Sequence, residues 1–161
     1  MITNFEIKPA TINDAQTIVD LIKAIAEYEK LSDQVQATPE TIIEYLFSEK
    51  SYAECIIAFE NNEPIGFALF FHNFSTFVSK PGIYLEDLFV LESHRGKGYG
   101  KKLLLQVIAL AKQRNCGRVD WSVLNWNKPA IDFYESIGAT AMNEWTTYRL
   151  NEETISKLLN K

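Results

Sequence analysis

Between Tyr84 and Leu104 the sequence reads YLEDLFVLESHRGKGYGKKLL, and it sets two kinds of chemistry side by side. Adjacent carboxylates, Glu86 and Asp87, interrupt an apolar, strand-like run. A buried carboxylate is costly unless it is bonded or paired, so the pair needs a reason: an edge position, a structural ion pair or a cationic ligand. A primary ammonium must lose its proton before it becomes a nucleophile. A nearby carboxylate can hold the cation and pass that proton to water. The run then enters RGKGYG, where Gly96, Gly98 and Gly100 lie between a strand and a helix. Glycine accepts positive φ and lets backbone approach a ligand closely. The free N–H groups at the start of the following helix favour an anion, and Arg95, Lys97, Lys101 and Lys102 add local positive charge. A phosphate-bearing ligand would satisfy every one of these features. A tight turn with solvated lysines would account for the glycines and the lysines alone.

Familiar phosphate loops do not fit. A P-loop needs GxxxxGK followed by Ser or Thr, but Gly100-Lys101 is followed by Lys102 and position 95 is arginine. The dinucleotide fingerprint GxGxxG, begun at Gly96, meets Lys101 where its third glycine belongs. No competing chemistry assembles elsewhere. His72 and His94 are the only histidines, no HxxxH, CxxC or carboxylate cluster has metal-ligand spacing, and no serine sits in a GxSxG elbow. No metal is expected.

The elements that must position these residues follow from periodicity. NFEIK (4–8) reads as a first strand. Thr11, with Asp14 three residues on, starts a helix whose apolar stripe is 18, 21, 22 and 25, and Thr38 followed by Pro39 starts a second. ECIIAFE and IGFALFFHNF form a hairpin about Asn61 and Asn62. Over 83–91, strict alternation predicts Tyr84, Glu86, Leu88 and Val90 on one face and Leu85, Asp87 and Phe89 on the other. From Gly100 an amphipathic helix presents Leu103, Leu104, Val107, Ile108 and Ala111 to the core. GRVDWSVL is a strand, KPAIDFYESIG a short helix ended by Gly138, EWTTYRL a last strand before a small terminal helix. The order β-α-α-β-β-β-α-β-α-β, with that terminal helix, predicts an α/β (α+β) fold: a mixed sheet flanked by helices.

Composition narrows the classes. The 161 residues suit one domain, and the net charge of -5 disfavours nucleic acid while favouring small cations. Cys55 and Cys116 lie far apart, and both read as buried thiols in a reducing compartment. MITNFEIKPATINDAQ lacks the apolar run of a signal peptide, and no apolar stretch is long enough for a bilayer, so no membrane partner and a cytoplasmic location are expected.

RGKGYGKKLL resembles the Arg/Gln-x-x-Gly-x-Gly/Ala signature of the GNAT superfamily of N-acetyltransferases, on Arg95, Gly98 and Gly100. The likeness extends to the diamine (spermidine/spermine) and thialysine acetyltransferases through IKPAT (7–11), LIKAIAEYEKL (21–31), YLEDLFV (84–90) and WNKPAIDFYESIGA (126–139), nearly the whole chain. The resemblance implies a single N-acetyltransferase domain over 1–161, a twisted sheet of six to seven strands, acetyl-CoA as co-substrate, and a homodimer. It implies that Arg95, Gly96, Lys97, Gly98, Tyr99, Gly100 and Lys101 hold the pyrophosphate, and that Leu88, Phe89 and Val90 pair with the pantetheine arm. Asn127, Ala130 and Tyr134 also correspond to positions that contact the cofactor. Tyr134 would be the general acid on the leaving thiolate and Glu86 the base through water. Without the resemblance, Tyr134 reads as a packed amphipathic ring and Asn127 as a helix cap.

Candidate amine ligands are Tyr28, Glu29, Glu86, Asp120, Trp121, Ser122 and Glu144, with Trp145 beside the last; an aromatic with several carboxylates suits a small cation on an apolar stem. Where the polyamine enzymes carry an acidic, glycine-containing insertion, this chain has the shorter TAMNEWTTYRL, and EWTTYR is similar to the thialysine relatives. The acceptor is therefore expected to be a small polyamine or a lysine-like, amino-acid amine. The rivals are a non-catalytic acyl-CoA-binding module and an enzyme acting on protein lysines or N-termini.

Overall fold

The computed structural model describes residues 4–159, which fall into two compact units divided between Ser122 and Val123. The first unit holds a five-stranded sheet in the spatial order β1-β2-β3-β4-β5: β1 (Phe5–Pro9), β2 (Glu54–Glu60), β3 (Glu63–Ser75), β4 (Lys80–Val90) and β5 (Val119–Trp121). Its helices are α1 (Ala15–Glu29), α2 (Pro39–Leu46) and α3 (Tyr99–Gln113). Strands β1 to β4 are antiparallel neighbours, and β5 returns parallel to β4 after the α3 crossover. The second unit carries α4 (Lys128–Ser136) and α5 (Glu152–Leu159).

Local chemistry accounts for most boundaries. Thr11 and Asp14 close a capping box, with Asp14 Oδ2 accepting from both the N–H and the hydroxyl of Thr11, at 2.7 and 2.8 Å. Thr38 accepts from Thr41 N–H ahead of α2, with Pro39 in the first turn. Asn61 and Asn62 both adopt left-handed backbone, φ 53° and 70°, as the tight β2–β3 hairpin requires. Both sheet faces are covered. Ile18, Val19, Leu21 and Ile25 of α1 pack with Cys55, Ile57, Phe67 and Phe89 on one face. On the other, α3 lies across β2, β3 and β4 with Leu103, Leu104 and Val107 fully buried. Ile108 sits at the margin of that stripe and is exposed. Arg114, just beyond α3, grips Glu54 of β2 through both terminal nitrogens at 2.6 and 2.7 Å. No helix among the described residues is long and apolar enough to cross a membrane.

Three sequence expectations need correction. Among the described residues the sheet has five strands rather than six to seven, and the order ends β-α-α: EWTTYRL (144–150) is not a strand. Its composition favours extended backbone, but a strand exists only where a ladder partner satisfies its N–H and C=O groups. Trp145 is 73% and Tyr148 91% exposed, so burial supplies nothing to hold the segment in a sheet. The second correction concerns Cys116, which is half-buried, whereas Cys55 is buried as expected and its thiol is pushed up to about 12, first by burial. The third is the alternation along β4, which fails at Glu86.

Candidate active site

The site is organised by a break in β4. On one side β5 pairs with β4 only at Ile83↔Val119, Tyr84↔Asp120 and Leu85↔Trp121. On the other, the β3 register jumps from Phe70↔Leu85 to Leu69↔Asp87, leaving Glu86 as the extra residue of a β-bulge. The bulge exchanges the faces beyond it. Asp87 and Phe89 pair with Leu69 and Phe67, which lie on the α1 side, whereas Leu85 pairs with Phe70 on the α3 side. Strict alternation would have kept Leu85 and Asp87 together. Beyond Leu85 the β5-facing edge of β4 has no strand partner among the described residues. An extended ligand can add along such an edge through main-chain hydrogen bonds at Leu88 to Val90.

Glu86 is exposed at the bulge and Asp87 half-buried beside it. Burial first, then the charges of Glu86 and of Glu29 at the end of α1, push the Asp87 carboxyl up to about 6. Burial likewise raises Glu29. The C-terminal turn of α1 carries no basic residue and adds its negative dipole end to the same region. Tyr28, next to Glu29, has its ring 6.4 Å from that of Phe89. The fold thus gathers Tyr28, Glu29, Glu86 and Asp87 from two elements that are far apart in sequence. Among the described residues no group of three or more His, Cys, Asp or Glu is placed to hold a metal ion.

After β4 comes the glycine turn. Gly96 and Gly98 have φ +78° and +77°, and a Cβ at either would meet only open space, so glycine is required by backbone angle and not by packing. Gly98 is the N-cap of α3, whose first turn receives no side-chain cap. The N–H groups of Tyr99, Gly100 and Lys101 therefore lack intrahelical acceptors, and donors of this kind at a helix start favour an anion. Uncapped donors beside an open glycine cradle suit the phosphates of acetyl-CoA. The cationic side chains are mostly engaged elsewhere. Arg95 lies over the Tyr28 ring at 4.2 Å and the Phe89 ring at 5.4 Å, and its Nε donates to Val90 C=O at 3.0 Å. That arginine ties the turn to α1 and to the end of β4. Lys97 binds Glu60, and Lys102 sits over the Phe5 and Tyr99 rings at 4.5 and 5.4 Å.

On β5, Asp120 already accepts from Arg118 Nε at 2.8 Å and Asn73 Nδ2 at 3.1 Å, and Ser122 Oγ hydrogen-bonds Tyr84 Oη at 2.8 Å. Trp121 is half-buried between them. In the second unit, Asn127 stands at the N-cap of α4, and its C=O accepts from Ile131 N–H at 3.1 Å. Asn127, Ala130 and Tyr134 are spaced by three and four residues and share one helix face. Tyr134 is half-buried against Phe133, ring centroids 5.5 Å apart. Gly138, φ +90°, ends the helix as expected. Glu144 is exposed in the irregular stretch before Trp145. Sequence reasoning missed Glu60, which meets Lys97 across 37 residues, and no local pattern marks it.

Comparison with known proteins gives the class, an acetyltransferase. The Acetyltransferase (GNAT) family matches residues 16–139, and the chain belongs to that family as an acetyl-CoA-dependent N-acetyltransferase. It is 34% identical over 166 residues to the thialysine N-epsilon-acetyltransferase of Bos taurus, covering 96% of this chain and 97% of that one. It is 44% identical over 93 residues to an L-ornithine N5-acetyltransferase of Arabidopsis thaliana, covering 58% of this chain and 41% of the relative. Among solved structures, an integron cassette protein from the mobile metagenome of V. cholerae superposes with a TM-score of 0.81 at 31% identity, covering 98% of each chain.

Proposed function

We propose that the acceptor is the distal primary amine of a small lysine-like amino acid or diamine, and that residues 1–161 act as one N-acetyltransferase domain. The observation that carries this reading is the convergence of Glu29, Glu86 and Asp87 where β4 leaves β5, with Asp87 pushed up to about 6 by burial and its two acidic neighbours. Such a field binds an ammonium and is relieved by it. Glu86, exposed at the bulge, holds the cation and passes its proton to water. The freed amine attacks the acetyl carbonyl in a ternary complex, and the C–S bond breaks as the tetrahedral centre collapses. Tyr134 protonates the departing thiolate, the new amide nitrogen gives its extra proton to water, and water returns a proton to Tyr134. Main chain at Leu88 to Val90 aligns the pantetheine arm, while Gly96 to Lys101 hold the phosphates through backbone N–H groups. Asn127 and Ala130 are assigned to the same co-substrate by the family resemblance, and Tyr28, Asp120, Trp121, Ser122 and Glu144 to the acceptor.

The relatives named for thialysine and ornithine support an amino-acid acceptor over a polyamine. Exposed Trp145, Tyr148 and Leu150 support a homodimer, and the absence of any need for an oxidising environment around Cys55 and Cys116 suits the cytoplasm. The test is release of CoA with a panel of lysine, thialysine, ornithine, putrescine and spermidine, for wild type and Glu86→Gln from pH 6 to 10. Glu86→Gln should raise KM for charged amines and recover part of its rate at high pH, where solvent has already deprotonated more of the amine. Parallel pH profiles for the two proteins would return Glu86 to a structural role. Tight CoA binding with no turnover on any amine would make the chain a binding module.

A further inference from the structure

Glu60, the last residue of β2, is 7% exposed, and three side chains converge on it. Lys97 Nζ reaches both carboxylate oxygens at 2.9 and 3.0 Å, the Tyr99 hydroxyl donates to Oε1, and His94 Nε2 lies 3.3 Å from Oε2. These side chains come from before, within and after the stretch that contains Gly96 and Gly98. Tyr99 is also stacked on Phe5 of β1, centroids 4.3 Å apart and planes within 9°. The sheet edge therefore grips the turn on both sides of its two left-handed glycines.

We propose that Glu60 is a positioning residue for the glycine turn, and that Lys97 serves as its counter-ion and not as a phosphate ligand. This rests on the reading that the turn holds the phosphates of acetyl-CoA. Glycine makes the left-handed angles possible but leaves the chain with the most backbone freedom to lose, so something outside the turn must fix it. A buried carboxylate that accepts from Lys97 and Tyr99, with the His94 ring against it, does so. Placing an anion this close to an anion site is self-defeating unless its charge is cancelled, because a carboxylate and a phosphate repel in a partly desolvated setting. Lys97 cancels it. The lysine that sequence reasoning assigned to the cofactor thus acts one step away, through Glu60.

Four variants separate these roles, with CoA and pantetheine, which lacks the phosphates, as probes in titration and competition assays. Lys97→Met leaves Glu60 anionic and uncompensated and should weaken CoA about tenfold, the scale of one lost charge-assisted contact. Glu60→Gln keeps shape and an acceptor for Tyr99 but loosens the turn, and should weaken CoA a few-fold. The double variant should regain most of what Lys97→Met lost, because there is no longer a charge to cancel. Lys97→Arg should bind CoA as wild type does. Pantetheine affinity and the KM for amine should stay within about twofold throughout, which a general loss of structure would not allow. A double variant as weak as Lys97→Met, or weaker, would mean that Lys97 touches phosphate and would overturn the assignment, as would tighter CoA binding by Glu60→Gln. Gly98→Val provides the independent check. If it leaves CoA affinity unchanged, the turn is not the phosphate site. If it weakens CoA while the double variant shows no recovery, only the role of Glu60 and Lys97 fails.

Discussion

Asp87 offers the sharpest test of how the acidic site is built, because the fold works against its ionisation. Its carboxyl is moved from 3.8 to about 6, first by burial and then by Glu86 and Glu29. A displacement of that size corresponds to about 3 kcal/mol of differential interaction between the two protonation states. The sign follows from where the proton is held more tightly. Well below its ordinary value of 3.8 Asp87 is protonated in the folded and unfolded chains alike, and it adds no penalty. Between about pH 4 and 6 the unfolded chain ionises while the folded chain still holds its proton, so stability is lost across that window and the loss levels off above it. Asp87→Asn keeps the shape and removes the titration. Against wild type it should gain nothing near pH 4 and about 1–3 kcal/mol by pH 8, the lower figure allowing for a buried amide short of a partner. Urea unfolding at one-unit intervals from pH 4 to 8 gives the difference curve directly, and the other carboxylates cancel in it. The same logic reaches function: an ammonium seated beside Asp87 pulls its pKa down, so amine binding near pH 6 should release protons. Calorimetry in buffers of different ionisation enthalpy reads that release, and Asp87→Asn should abolish most of it. A flat difference curve would refute the reasoning, since it would mean that burial and two acidic neighbours leave Asp87 unperturbed.

Tyr134→Phe removes only a hydroxyl from α4, so melting temperature and CoA affinity should hold while kcat falls by roughly 10- to 1000-fold; an unchanged rate under chemistry-limited conditions would return Tyr134 to packing. Arg114→Met breaks the two-pronged contact with Glu54, which holds the Glu54 carboxyl below its usual range chiefly through that hydrogen bond. Both partners are partly exposed, so the loss at pH 7 should be no more than about 1 kcal/mol. Because the contribution of Glu54 is present above its unfolded pKa and lost as pH falls, the variant and wild type should converge in denaturant midpoint toward pH 3.

What could be read from the sequence was the part governed by neighbours along the chain. The stripe of α3 apart from exposed Ile108, the caps at Thr11 and Thr38, and the Asn61-Asn62 hairpin each depend on a few consecutive residues, and each formed where expected. The glycine spacing of RGKGYG was legible for the same reason, since positive φ is a property of single residues. Everything that depends on register or on distant partners was decided by the tertiary structure. The identity of Glu86 as the extra residue of a bulge comes from how β3 pairs with β4, and that one-residue slip reversed the faces beyond it. EWTTYRL has the composition of a strand, but strand formation needs a partner's hydrogen-bonding edge, which composition does not encode. The charges of Arg95 and Lys97 were visible, but their destinations, the Tyr28 ring and the Glu60 carboxylate, became neighbours only when α1 and β2 were laid against the turn. Sequence fixes which charges exist, whereas their worth depends on burial and on the groups that packing brings within a few ångströms.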